Sequence, residues 1–199
     1  MIQDSSELST GAVLKADVCI VGGGPAGISI ARALAGSGKK VLLLESGGRD
    51  VEGASQALAG ATQDVGYDRL SSNRLRRLGG TTGHWAGQSI PLDPIDLRAR
   101  DWVPGSGWPI AYREVERWVR ADVDACGLGA EPFTWEAWSG AVRLPDALPF
   151  SDRIVVQPLR FSTPPRDFGK HFGAELRAKE DVQVVLHASV THLETGKEG

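Results

Sequence analysis

The sequence predicts an α/β fold built on a parallel sheet, and three observations carry that prediction. Two short apolar runs, Ala16 to Val21 and Val41 to Leu44, have the composition of strands buried on both faces. Between them the chain runs from Gly27 to Ala35 without a helix breaker, then stops at Gly36-Ser37-Gly38, with Lys39 and Lys40 suited to the negative end of a helix. Strand, helix and strand together take about 30 residues, the size of one βαβ unit.

The rest of the composition is compatible with that fold and excludes others. At 199 residues the chain suffices for one domain, and 41% hydrophobic with 24% charged residues and a formal charge of -3 excludes a chain disordered by charge. A slightly acidic chain without a long Lys/Arg run offers little electrostatic footprint for nucleic acid or an anionic membrane, and no window approaches the roughly 18 apolar residues of a spanning helix. Cys19 and Cys126 are too far apart in sequence for a disulfide framework, and Cys19 reads as a small core residue in its strand. A cytoplasmic protein is expected. The 25 glycines exceed the average for soluble chains and need an explanation by position.

Taken in order, residues 1–15 are polar and read as a flexible leader, with the domain proper at 16–199. Residues 46–73 read as a loop with at most one short helix. Then come Arg76-Arg77-Leu78-Gly79-Gly80-Thr81-Thr82-Gly83-His84-Trp85-Ala86-Gly87, with no usable periodicity. Val115, Trp118, Val119, Val123 and Cys126 recur at three- and four-residue spacing and predict an amphipathic helix from Tyr112 to Cys126, with Trp118 on its core face. Between about 92 and 168 the rest is irregular, with a short strand expected at 153–156. A helix is expected from Phe168 to Lys179. Val182 to Leu186 and Ala188 to Leu193 alternate like a hairpin or one bent strand.

Gly22-x-Gly24-x-x-Gly27 sits between strand and helix, and Glu45 closes the next strand, which is the arrangement of a dinucleotide-binding fingerprint. Gly22 permits the tight turn, Gly24 lets backbone approach a pyrophosphate, and Gly27 lets helix and strand pack closely. Pro25 and Ala26 open the helix, whose N-terminus offers free N–H groups and positive dipole. Glu45 would accept hydrogen bonds from the ribose hydroxyls, and its charge opposes a 2′-phosphate. The fingerprint does not separate NAD from FAD, so an NAD-linked dehydrogenase and a non-catalytic dinucleotide module stay open here.

These residues together with Leu78-Gly79-Gly80-Thr81-Thr82 and Gly107-Trp108-Pro109-Ile110 resemble the glucose-methanol-choline (GMC) oxidoreductases, and within them the pyranose oxidase-like and sugar dehydrogenase branch. The resemblance implies a Rossmann-like FAD-binding domain of GMC type, incomplete and carrying part of the substrate-domain insertions. It further implies hydride transfer from a CH–OH group of a sugar or related alcohol to the flavin, with the electron acceptor left open. By the same resemblance Gly79, Gly80, Thr81 and Thr82 lie along the FAD pyrophosphate and flavin, and Val190 meets the adenine edge, the alternative for Val190 being an inward strand residue. Arg76 and Arg77 precede the glycines: either one of them faces the pyrophosphate, Arg76 being favoured by its place in the motif, or both are solvated surface charges. His84 matches the histidine that some members attach covalently to the flavin and others place beside it.

GMC enzymes carry their catalytic base, a histidine paired with a histidine or asparagine, near the far C-terminus, and nothing here matches that pair. No catalytic residue is therefore expected in this chain, which reads as the N-terminal part of a longer enzyme, inactive alone. His171, His187 and His192 lack metal-ligand spacing, so no metal site is expected, and His187 and His192 read as exposed strand residues. Trp135 and Trp138 read as packing residues in preference to a sugar platform.

Overall fold

The structure is a computed structural model and describes residues 1–60, 73–129, 132–139 and 157–196. The chain divides into two compact units, Met1–Trp85 with Asp167–Gly199, and Ala86–Arg166.

The first unit is a four-stranded parallel sheet with helices packed against it. Its strands are β1 (Ile2–Asp4), β2 (Val18–Val21), β3 (Val41–Leu44) and β6 (Val182–Leu186), arranged in the order β1-β6-β3-β2. The two inner strands are the most apolar: Val41, Leu43, Val182, Val184 and Val185 are at most 2% exposed, as expected where neighbours occupy both edges and layers cover the faces. Helix α1 (Pro25–Leu34) follows β2, and helix α6 (Phe168–Ala178) precedes β6; the two pack together. Ile20, Ile28, Ala31, Phe172 and Leu176 are buried in this first unit. Arg32 joins the two helices, its Nε lying 3.0 Å from both Glu175 carboxylate oxygens and its guanidinium stacking 3.8 Å from the Phe172 ring centroid. The α1 terminus is tied by Asp181 Oδ2, which accepts the Gly36 N–H at 2.6 Å.

Three expectations change here. Residues 1–15 do not begin as a loose leader, because Ile2–Asp4 pairs in parallel with Val184–Leu186 and completes the outer edge of β6. A turn of 3₁₀ helix (Ser5–Glu7) follows, capped by the Asp4 side chain. Cys19 is exposed, not core: strand side chains alternate, so Cys19 lies on the face opposite buried Ile20, and β2 is the last strand of the described sheet. Finally, Val182 to Leu193 forms no hairpin, since both edges of β6 are taken by β1 and β3, and the chain turns away at His187 with φ 54.

The second unit contains a two-stranded antiparallel ribbon of β4 (Gln88–Ser89) and β5 (Arg160–Phe161), with α3 (Pro94–Leu97), α4 (Tyr112–Cys126) and α5 (Trp135–Ser139). The long helix α4 has the predicted bounds, and it ends at Gly127 in left-handed backbone, with Leu128 N–H reaching back to Val123 O at 2.9 Å. Its Val115, Val119, Val123 and Cys126 line a groove with Ile90, Leu92, Leu128 and Phe133. Trp118 falls outside that lining and is 59% exposed, so it is not the core residue its spacing implied. Arg160, 4% exposed, stacks between Phe133 and Trp138, 4.8 and 5.3 Å from their ring centroids. The strand expected at 153–156 lies outside the described residues.

Leu43 is fully buried in a central strand, so Leu43→Ala should lower the unfolding free energy by about 2–5 kcal/mol, read as a shifted urea midpoint.

Candidate cofactor site

The fingerprint residues form a sharp turn between β2 and α1. Gly22 has φ 98 and its N–H donates to Leu44 O at 2.8 Å, closing the turn onto the neighbouring strand. Gly27 sits so near that turn that a Cβ on it would stand 2.0 Å from Gly22 O, a clash with rigid backbone. Helix α1 therefore approaches β2 only because position 27 has no side chain. At Gly24 the opposite holds: a Cβ would meet nothing within 4 Å, which leaves open space at the helix N-terminus. Gly24 is the N-cap and supplies no side-chain cap, so the first-turn N–H groups of Ala26 and Gly27 are left for a ligand.

The second glycine cluster closes against the first. Gly79 N–H donates to Gly23 O at 2.7 Å, and a Cβ on Gly80, whose φ is 53, would stand 3.2 Å from Gly24 Cα. Residues 80–83 then make a 3₁₀ turn that ends at His84, whose side chain is exposed. The hydroxyls of the two threonines differ in role. Thr82 is buried, its Oγ1 donating to Gly79 O at 2.6 Å and accepting Phe168 N–H at 3.1 Å, so that hydroxyl holds the loop instead of facing a ligand. Thr81 is half-buried, and its carbonyl accepts both the His84 and Trp85 N–H groups at 3.1 Å.

The arginine pair separates cleanly. Arg77 is buried, with Nη1 2.8 Å from Asp167 Oδ2 and Nε donating to Arg49 O at 3.1 Å. Its charge is committed to anchoring α6 through the N-cap residue Asp167. Among the described residues the Arg76 side chain makes one long contact, from Nη2 to Ser189 Oγ at 3.4 Å, its backbone N–H donates to Gln56 Oε1 at 3.0 Å, and its Nε is buried without a hydrogen-bond partner. A buried, unpaired guanidinium N–H is costly in isolation and fits an anion.

Glu45 is 5% exposed and accepts Gly23 N–H at 2.6 Å, Gly47 N–H at 2.8 Å and Ser46 Oγ at 3.2 Å. The carboxylate assigned to the ribose thus also ties the fingerprint turn to the loop beyond β3, leaving only part of its acceptor capacity free. Its backbone carbonyl accepts Ala188 N–H at 2.8 Å, bringing residues 188–190 to the same end of the sheet. Val190 is there 37% exposed and outside any strand. Sequence reasoning passed over Gly47 and took His187, here half-buried and just past β6, for an exposed strand residue. The available signal for Gly47 was the Gly47-Gly48 pair directly after Glu45, since a Cβ on Gly47 would stand 1.9 Å from Arg76 O.

The open space at Gly24 and the uncapped α1 terminus fit a dinucleotide pyrophosphate. Among the described residues no cluster of His, Cys, Asp and Glu could hold a metal ion, and no helix is long and apolar enough to cross a membrane.

The chain belongs to the FAD dependent oxidoreductase family, which it matches over residues 17–199, and FAD is its cofactor. Among solved structures it is similar to pyridoxine 4-oxidase from Mesorbium loti, at 19% identity and a TM-score of 0.43, covering 87% of this chain and 42% of that one. The chain thus spans less than half the length of that relative. No curated protein matches it.

Gly24→Ala should change stability by no more than about 1 kcal/mol, because the added methyl meets open space at an N-cap. FAD affinity, followed by quenching of flavin fluorescence, should nevertheless fall at least about tenfold, or ~1.4 kcal/mol, if the open space the methyl enters is the one that receives the pyrophosphate.

Proposed function

We propose that this chain is the FAD-binding portion of a GMC-type oxidoreductase, of the pyranose oxidase-like or sugar dehydrogenase branch, that oxidises a CH–OH group of a sugar or related alcohol. The observation that carries the reading is the contact between the two glycine clusters, Gly79 N–H on Gly23 O at 2.7 Å. A dinucleotide fingerprint alone needs no second loop against it; a flavin cradle of the GMC kind uses both.

When bound, FAD supplies the hydride acceptor. The chain's own residues supply the hold on it. The N–H groups of Ala26 and Gly27 and the guanidinium of Arg76 take the pyrophosphate, and the remaining acceptor capacity of Glu45 takes the ribose. Val190 backbone meets the adenine, and the backbone of Gly79 to Thr81 runs along the flavin side. Removing the substrate hydroxyl proton needs a base, a contribution of roughly two to four orders of magnitude in rate. This reading assigns that base to none of the described residues: His187 is held between two carboxylates, and His84 is reserved for the flavin. His84 lies beside the isoalloxazine in this reading, and acid precipitation of the loaded protein distinguishes a covalent link, which leaves a yellow pellet, from a non-covalent one.

Purified chain mixed with FAD should develop a protein-bound flavin spectrum and gain thermal stability, while NAD should do neither. Sugar or alcohol turnover by this chain alone should be negligible. A protein stabilised by NAD and indifferent to FAD would sink the reading, as would vigorous sugar or alcohol turnover by residues 1–199.

A further inference from the structure

The turn that follows β6 is held by a histidine placed between two carboxylates. His187 takes φ 54, left-handed backbone that a residue other than glycine adopts rarely. Its N–H donates to Gly47 O at 3.1 Å, and its carbonyl accepts Ser5 Oγ at 3.0 Å. The ring completes the arrangement: Nδ1 faces Asp4 Oδ2, and Nε2 lies 2.6 Å from Glu52 Oε2. An ionised carboxylate only accepts hydrogen bonds, and a neutral imidazole has one donor nitrogen. Both contacts hold together when both ring nitrogens carry protons, so the geometry calls for an imidazolium.

The surroundings favour that charge. His187 shares a cavity of about 280 Å³ with Asp4 of β1, Glu7 of the 3₁₀ turn, and Arg49, Asp50 and Glu52 of the loop before α2 (Gly53–Ala57), four carboxylates against one other cation. Hydrogen bonding to Glu52 first, and to Asp4 second, raises the His187 pKa above the ordinary imidazole value. Ser6, through its hydroxyl and its N–H, and then His187 hold Asp4 down to about 2.

We propose that His187, as an imidazolium bridging Asp4 and Glu52, is a positioning residue that sets residues 187–190 for the adenosine end of FAD, so that cofactor affinity falls when the ring loses its proton. The inference rests on the reading of Arg76 and Val190 as cofactor contacts. Ser189, two positions on, receives Arg76 Nη2 at 3.4 Å, and Val190 follows it. Deprotonation sets a lone pair against one carboxylate and releases the turn. The folded-state pKa is raised, so the bridge is fully present below the unfolded imidazole value of about 6.5 and is lost as pH rises through the folded value.

The test is FAD titration of the purified chain across the mildly acidic to mildly alkaline range, in the wild type, His187→Asn and Glu52→Gln. Asparagine tolerates left-handed backbone and carries no titrating proton here. Wild-type affinity should fall about fivefold or more with rising pH, the lower end of ordinary coupling between sites. His187→Asn should lose that transition, and Glu52→Gln should move its midpoint down. Nitrogen NMR of the ring, without FAD, should show His187 titrating above the ordinary imidazole value; a ring titrating at or below that value overturns the proposal even where His187→Asn does not fold. FAD binding that ignores pH, or a transition that survives in His187→Asn, overturns this inference alone. FAD failing to bind at any pH would remove the adenosine-side reading as well.

Discussion

The Glu45 carboxylate is buried and faces two backbone N–H groups, Gly23 on one side and Gly47 on the other. A buried carboxylate is tolerated only when it is hydrogen-bonded, and here two of its acceptor positions are taken by backbone from the two loops it joins. Gly23 belongs to the fingerprint turn, and its carbonyl in turn receives Gly79 N–H, so Glu45 reaches the second glycine cluster through a single residue. The carboxylate therefore orders the pocket before it contacts any ribose.

The sheet explains why Glu45 sits there. The inner strand β3 is apolar along its length, pairs on both edges, and delivers its last residues to the same end as β6 and β2. Glu45 follows β3 directly, and residues 187–190 follow β6. Parallel strands place all their C-terminal loops together, which gathers residues from three distant parts of the sequence at one end. The glycines serve that gathering: Gly27 admits α1 to β2, Gly47 admits the Arg76 backbone, and Gly80 admits the second cluster to Gly24.

Much of this was legible in the sequence because it is local. The fingerprint, the βαβ unit and the helix Tyr112–Cys126 follow from spacing and from breakers within a few residues of each element. Strand β1 was not legible, since three residues carry too little alternation to announce a strand, and only the free edge of β6 gives them a partner. Trp118 misled for a related reason: helical spacing states which side of the cylinder a residue occupies, while burial depends on what packs there. His187 read as an exposed strand residue because its two carboxylates lie 183 and 135 positions away.

By itself the sequence determined the α/β class, the dinucleotide turn and the glycine-rich segment that accompanies it, because each depends on backbone freedom or periodicity over short stretches. The tertiary structure decided the assignments that depend on contact. Arg77 and not Arg76 is consumed by Asp167, Thr82 holds the loop and not a ligand, and His187 bridges carboxylates. Charge and hydrogen-bonding capacity are properties of a residue, but how they are spent is set by neighbours that only folding supplies.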